Sequence, residues 1–144
     1  MFKAISDNIN LAKDNLLNGK PIIYPTDTLY SFGAMANDSK AIEKINKLKK
    51  RKSPISIILS DIREIETYGY VPDKHKNLIY NILPGKYTIL LKAKKHSLSK
   101  LIQNKSDLIG IRIPGELFCT ELAYHLSMPI ITTSINEHRQ SPLT

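Results

Sequence analysis

This sequence predicts an α/β fold: a single domain with a twisted mixed sheet flanked by helices. Three observations carry that expectation. Apolar residues recur at helical spacing in some stretches and run without interruption in short stretches between them. The two kinds of segment alternate along the whole chain. The link "NILPGKYTILL", residues 81–91, turns too tightly for a helical crossover, so some neighbouring strands must be antiparallel.

The elements follow in order. Residues 5–18 carry Ile5, Ile9, Ala12 and Leu16 on one helical face, and Gly19 is a fitting stop. "PIIY" is a short buried strand. The next helix spans "NDSKAIEKINKLKK", with Ala41, Ile42, Ile45 and Leu48 as its apolar face and Asp38 or Ser39 as its cap. "SPISIILS" reads as a strand. "KHKNLIYNIL" reads as a helix ended by Pro84-Gly85. "KYTILLKA" and "DLIGIRIP" are strands. "GELFCTELAYHL" is a helix with Leu117, Leu122, Ala123 and Leu126 among its apolar positions, and "MPIITTS" is the last strand.

At 144 residues the chain fits one domain with a substantial core and hardly two. No linker rich in Pro, Gly or Ser divides it, and no repeat is visible. Its one cysteine excludes a disulfide framework and a multi-cysteine metal site, and it suits a reducing, cytoplasmic setting. No apolar run is long enough to span a bilayer, and "MFKAISDNIN" lacks the apolar core of a signal peptide. The formal net charge is +8, which attracts polyanions such as nucleotides, RNA or acidic lipid surfaces. A lysine-rich solvated surface is the plainer alternative.

In α/β sheets, ligands bind where strands end and loops begin. Four segments put polar or basic groups at such places. They are Thr26-Asp27-Thr28, the basic run Lys49-Lys50-Arg51-Lys52, Arg112 in an otherwise apolar strand, and "TTSIN" at residues 132–136. Each has a structural explanation as well. Thr-Asp-Thr is a good turn and capping sequence. A basic run at a helix C-terminus complements the helix dipole. "TTSIN" can simply end a strand. Arg112 is harder to dismiss, because a charge inside an apolar strand needs a partner or water. No Walker loop, dinucleotide fingerprint, Cys-x-x-Cys or His-Glu-x-x-His is present. His75, His96, His125 and His138 are scattered, and Cys119 reads as packing. The residues alone thus describe a basic α/β domain with a hydroxyl-rich anion site.

Five segments in register resemble the YrdC-like family of threonylcarbamoyl-AMP synthases. They are Pro25-Thr26-Asp27-Thr28-Leu29-Tyr30-Ser31-Phe32-Gly33, Lys49-Lys50-Arg51 with Pro54-Ile55, Pro84-Gly85-Lys86-Tyr87-Thr88, Arg112-Ile113-Pro114 and Ser134-Ile135-Asn136. The resemblance implies an L-threonylcarbamoyladenylate synthase. Such an enzyme makes threonylcarbamoyl-AMP and pyrophosphate from L-threonine, bicarbonate and ATP, with Mg2+ on the phosphates, for tRNA modification. It implies threonine contacts from Thr28, Arg112 and Thr132, with Arg112 as the carboxylate clamp. Lys49 and Arg51 become the catalytic, phosphate-facing pair. Lys52 or Ser53, Ser134, Asn136 and Ser141 become nucleotide contacts. Thr28, Arg51, Arg112 and Ser134 are then expected to face one cavity. Other proteins of the tRNA threonylcarbamoylation pathway become candidate partners, and a membrane does not.

The departures are specific. The family's Gly-Leu-Gly is Ser31-Phe32-Gly33, and a serine would strain that loop if the glycine it replaces needed positive φ. The link from Arg51 to Pro54 is short, Leu108 replaces a threonine, and Ile135 replaces an alanine. The family domain continues past the position of Thr144, so residues 1–144 are expected to be a YrdC-like domain lacking C-terminal strands. A catalytically impaired module that binds RNA or a nucleotide is the alternative function.

Overall fold

The computed structural model describes residues 9–27, 30–50 and 55–135. Six strands form one mixed sheet: β1 (Ile22–Pro25), β2 (Tyr30–Gly33), β3 (Ser56–Ile58), β4 (Ile89–Lys92), β5 (Leu108–Arg112) and β6 (Ile130–Ser134), in the spatial order β1-β2-β6-β3-β5-β4. β3 and β5 pair in parallel, and the other four pairings are antiparallel. Among the described residues five α-helices flank the sheet: α1 (Ile9–Leu17), α2 (Ser39–Lys49), α3 (Ile65–Tyr68), α4 (Lys76–Ile82) and α5 (Leu117–Leu126). No described helix is long and apolar enough to cross a membrane.

Strand alternation divides the sheet into two faces. Ile57, Ile109, Ile111 and Ile131 pack against Ala41, Ile42 and Ile45 of α2, Ile65 of α3 and Ile79 of α4. The adjacent positions Ile58 and Ile130 face the other way. There they join Ile22 and Tyr24 of β1, Ala12 and Leu16 of α1, and Phe118, Cys119 and Leu122 of α5. Each fully buried isoleucine contributes about 1.5–3 kcal/mol by leaving water, so a one-residue register slip in β3, β5 or β6 would be strongly disfavoured.

Helix ends follow local chemistry. Asp38 caps α2, its Oδ1 accepting from Ala41 N at 3.0 Å. Gly19 closes α1 with φ +75°, where a side chain would be strained. At the other end of α2, Lys50 takes a left-handed conformation, φ 57°.

Three expectations need correction. β2 was not anticipated as a strand, because "YSFG" is short and mixed in polarity. Its partners decide the matter: Tyr24 lies opposite Ser31 and Thr133 opposite Phe32. Ser31 is therefore ordinary strand backbone, absent from the positive-φ residues, and replacing glycine there brings no strain. On α2, Leu48 is 63% exposed and Lys49 is buried in its place. The buried stripe runs Ile42, Ile45, Lys49, the true helical repeat from Ile42. On α5, Leu117 is 69% exposed and the core takes Phe118 and Cys119.

Gly33 permits the close packing of β1 on β2. A Cβ there would lie 2.5 Å from Cε1 of the buried Tyr24 ring. Gly33→Ala is expected to destabilise the protein by about 1–3 kcal/mol through overpacking. Denaturant unfolding checks this, and an unchanged midpoint would show that Tyr24 is free to move.

Candidate active site

Where the strands end, the face that buries Ile58 and Ile130 changes from apolar to polar. The next same-face position on β6 is Thr132, and Ser56 of β3 lies opposite it. Ser134 follows on β6, with Ser31 of β2 opposite. On β5 the same face carries Gly110 and then Arg112. Ser31, Ser56, Arg112, Thr132 and Ser134, with Thr88 and Thr133, line a cavity of about 220 Å³. Its size lies below the roughly 300–1,000 Å³ of drug-sized sites, which suits a ligand no larger than a small amino acid. Gly110 leaves room for Ser56, since a Cβ there would lie 2.8 Å from Ser56 Oγ.

Arg112 is the charged group of this cavity, and it is only 7% exposed. Its Nη2 donates to Asp27 Oδ1 at 2.7 Å. Asp27 Oδ2 accepts from Gly115 N at 3.0 Å. The aspartate of Thr-Asp-Thr thus joins the β1–β2 turn to the loop between β5 and α5. Arg112 Nε is buried and makes no hydrogen bond among the described residues. An unmade buried donor is costly, and a carboxylate entering the cavity would satisfy it.

Lys49 approaches from the opposite layer. The α2 stripe carries it inward, and its Nζ donates to Thr133 Oγ1 at the cavity end of β6. The terminal turn of α2 therefore delivers one ammonium to the strand that also carries Thr132 and Ser134.

Behind the cavity, the titratable groups are held neutral. Tyr24 OH donates to Ile131 O at 3.1 Å, and burial, reinforced by nearby Cys119, pushes the phenol well above its usual range. Cys119 donates to Pro25 O at 3.3 Å, and burial pushes its thiol up to about 12. A protonated thiol bonded to a carbonyl is packing, not a nucleophile. Among the described residues no cluster of three His, Cys, Asp or Glu side chains could hold a metal ion.

Of the residues singled out in the sequence, Arg112, Thr132 and Ser134 line the one cavity, and Lys49 reaches its rim through Thr133. Thr28, Arg51, Lys52, Ser53, Asn136 and Ser141 lie outside the described residues. Leu108 begins β5 and so lies at the far end of the strand from Arg112. The cavity also includes Ser31, Ser56, Thr88 and Thr133, which had no assigned role. Ser56 could have been found from its parity with Ile58. Ser31 could not, without β2.

Asp27→Ala would leave Arg112 as a buried charge without its carboxylate. The expected loss is about 3 kcal/mol of stability, measured by urea unfolding. A loss below about 1 kcal/mol, the range of a solvated surface pair, would mean that water replaces Asp27 readily.

Comparison with known proteins agrees with this architecture. The Sua5/YciO/YrdC family model, described as "Telomere recombination", matches residues 14–144. A putative threonylcarbamoyl-AMP synthase from Methanocaldococcus jannaschii is 42% identical over 139 residues, covering 94% of this chain and 64% of its own length. The crystal structure of P. abyssi Sua5 complexed with L-threonine superimposes with a TM-score of 0.81 at 25% identity, covering 90% of this chain and 38% of that one. The crystal structure of E. coli YciO superimposes with a TM-score of 0.80 at 31% identity, covering 90% of this chain and 64% of that one. The chain thus spans less than two thirds of the length of these relatives. With the family's model matched over nearly its whole length, this chain belongs to the Sua5/YciO/YrdC family.

Proposed function

We propose that the chain carries the threonine- and nucleotide-binding core of an L-threonylcarbamoyladenylate synthase. The observation that carries this reading is Arg112. It is buried, anchored by Asp27, has an Nε donor without a partner among the described residues and opens on a small hydroxyl-lined cavity. A small amino acid with a hydroxyl side chain matches that lining: a carboxylate for Arg112, and hydroxyl partners from Thr132 and Ser56. The L-threonine bound in the related P. abyssi protein supports the same choice of ligand.

In the proposed reaction the amine of L-threonine and bicarbonate give a carbamate, a carbon–nitrogen bond forming as water leaves. The carbamate oxygen attacks the α-phosphate of ATP, an oxygen–phosphorus bond forms, and the bond to pyrophosphate breaks. Two anions must meet, so fixed positive charge must offset their repulsion. Lys49 and Arg51 are assigned to the phosphates, Thr28 to threonine, and Lys52, Ser53, Ser134, Asn136 and Ser141 to the nucleotide. No protein nucleophile is needed, and positioning supplies much of the rate. The described residues form no protein cage for Mg2+. The ion would be held mainly by the phosphates, as is usual for Mg2+ with nucleotides, where it would offset their charge. The product would serve tRNA modification in the cytoplasm. Binding without turnover is the less favoured reading, given relatives named as synthases.

Pyrophosphate release from ATP should require both L-threonine and bicarbonate. Arg112→Ala should weaken L-threonine binding by roughly 2–4 kcal/mol. Arg112→Lys, which keeps the charge and loses the planar fork, should not restore it. Calorimetry and a pyrophosphate assay check this. Release that is indifferent to threonine, or equal threonine affinity in all three proteins, would contradict the assignment.

A further inference from the structure

The net charge of +8 is not spread over the chain. Residues 74–106 contain eight lysines and no acidic residue. The remaining 13 basic residues are balanced by all 13 acidic ones. The whole excess therefore comes from one segment that runs from the approach to α4, along the edge strand β4, to the turn before β5.

Four of these lysines border one groove of about 760 Å³: Lys94 and Lys95 on the side leaving β4, Lys100 and Lys105 on the side entering β5. Lys95, Lys100 and Lys105 are exposed, and none of the four forms an ion pair among the described residues. Asp107 is the one carboxylate on the groove's lining and pairs with none of the four among the described residues, so the lysines still outnumber it and repel one another unless an anion lies between them.

The groove is built, not a loose loop. Leu98 N donates to His96 Nδ1 at 3.1 Å, so Nε2 carries the ring proton and donates to Gln103 Oε1 at 2.6 Å. Gln103 Nε2 in turn donates to Ser106 O at 2.9 Å. This chain of bonds ties the two sides together. Leu101 and the lysine stems add apolar floor. Lys94 Nζ lies 5.2 Å from the centre of the half-exposed Tyr70 ring, placing an aromatic face beside the cationic rim.

The groove also lies at the opposite end of the strands from the cavity. β5 runs from Leu108, next to the groove residue Asp107, to Arg112 at the cavity, roughly 13 Å at about 3.3 Å per residue. Phosphates held by Lys49 and Arg51 do not require these four lysines.

We propose that this groove is a second anion site that docks the phosphate backbone of RNA. A row of ammonium groups above an apolar, hydrogen-bonding floor, with an adjacent aromatic ring, matches a polynucleotide strand. Phosphates meet the rim, and sugar or base faces meet the floor and Tyr70. A lipid surface is flat and would not fill a concavity. A single phosphate would leave most of the row unmatched.

The test uses the full chain and an end-labelled tRNA transcript, followed by fluorescence anisotropy across a salt series. The groove variant replaces Lys94, Lys95, Lys100 and Lys105 with alanine. The control replaces the exposed Lys20, Lys40, Lys44 and Lys47, which leaves the same net charge. The groove variant should bind about tenfold or more weakly at moderate salt, and its log–log salt slope should fall by roughly 3, at about 0.7–0.9 per phosphate contact. The control should change less than about twofold. Threonine-dependent pyrophosphate release, if present, should be equal in both variants, which separates this claim from the proposed activity. Equal losses in the two variants would reduce the effect to net charge. Binding to anionic vesicles that depends on the groove, without RNA binding, would overturn the choice of partner. No tRNA binding by the unaltered chain would overturn the proposal.

Discussion

The contact between Arg112 and Asp27 holds the rest of the site in place. Arg112 ends β5, next to the edge strand β4, and Asp27 lies in the turn that leaves β1 at the sheet's other edge. Their 2.7 Å bond ties the β1–β2 turn to the end of β5, and the second aspartate oxygen holds the entry to α5 through Gly115. A buried ion pair is a weak source of net stability, because desolvation consumes most of the Coulombic gain. A hydrophobic pair would fold at least as well. What the ion pair supplies is a cation fixed at a cavity whose other described lining residues are neutral, with one donor unpartnered among the described residues. That arrangement suits a ligand site better than a core.

The rest of the architecture keeps that cation alone. One sheet face carries apolar side chains under α1 and α5, then switches to hydroxyls as the strands leave the helices. Hydroxyls bind a ligand without adding charge that would compete for Arg112. The groups immediately behind, Tyr24 and Cys119, are pushed toward their protonated forms by burial and also carry no charge at neutral pH. Lys49 arrives from the other layer and contacts Thr133 instead of Asp27. The two cations thus stand on opposite faces of the sheet.

Much of this was legible in the sequence, for identifiable reasons. The strong helices and the isoleucine-rich strands appeared because their periodicity is set by burial, as at Ile42, Ile45, Ile57 and Ile111. Arg112 stood out because a charge in an apolar strand demands explanation. Other features depend on long-range pairing and leave no local signal. β2 exists because β1 and β6 flank it, not because "YSFG" prefers a strand. The partner of Arg112 lies 85 residues away in a turn whose sequence suits many turns. Lys49 was legible as a basic residue at a helix end, while its burial in place of Leu48 required following the stripe one step past its last isoleucine.

The central claim is that Arg112 holds a donor in reserve for the carboxylate of L-threonine. Nitrogen NMR of the arginine side chains addresses it directly. In the unliganded protein the Arg112 Nε–H should give a slowly exchanging signal, assigned by its loss in Arg112→Lys, as befits a buried donor. Titration with L-threonine should move that signal in a saturable way, with the midpoint equal to the calorimetric affinity, and should leave the exposed Arg63 signal unchanged. An Arg112 signal that stays in place while L-threonine binds would contradict the account.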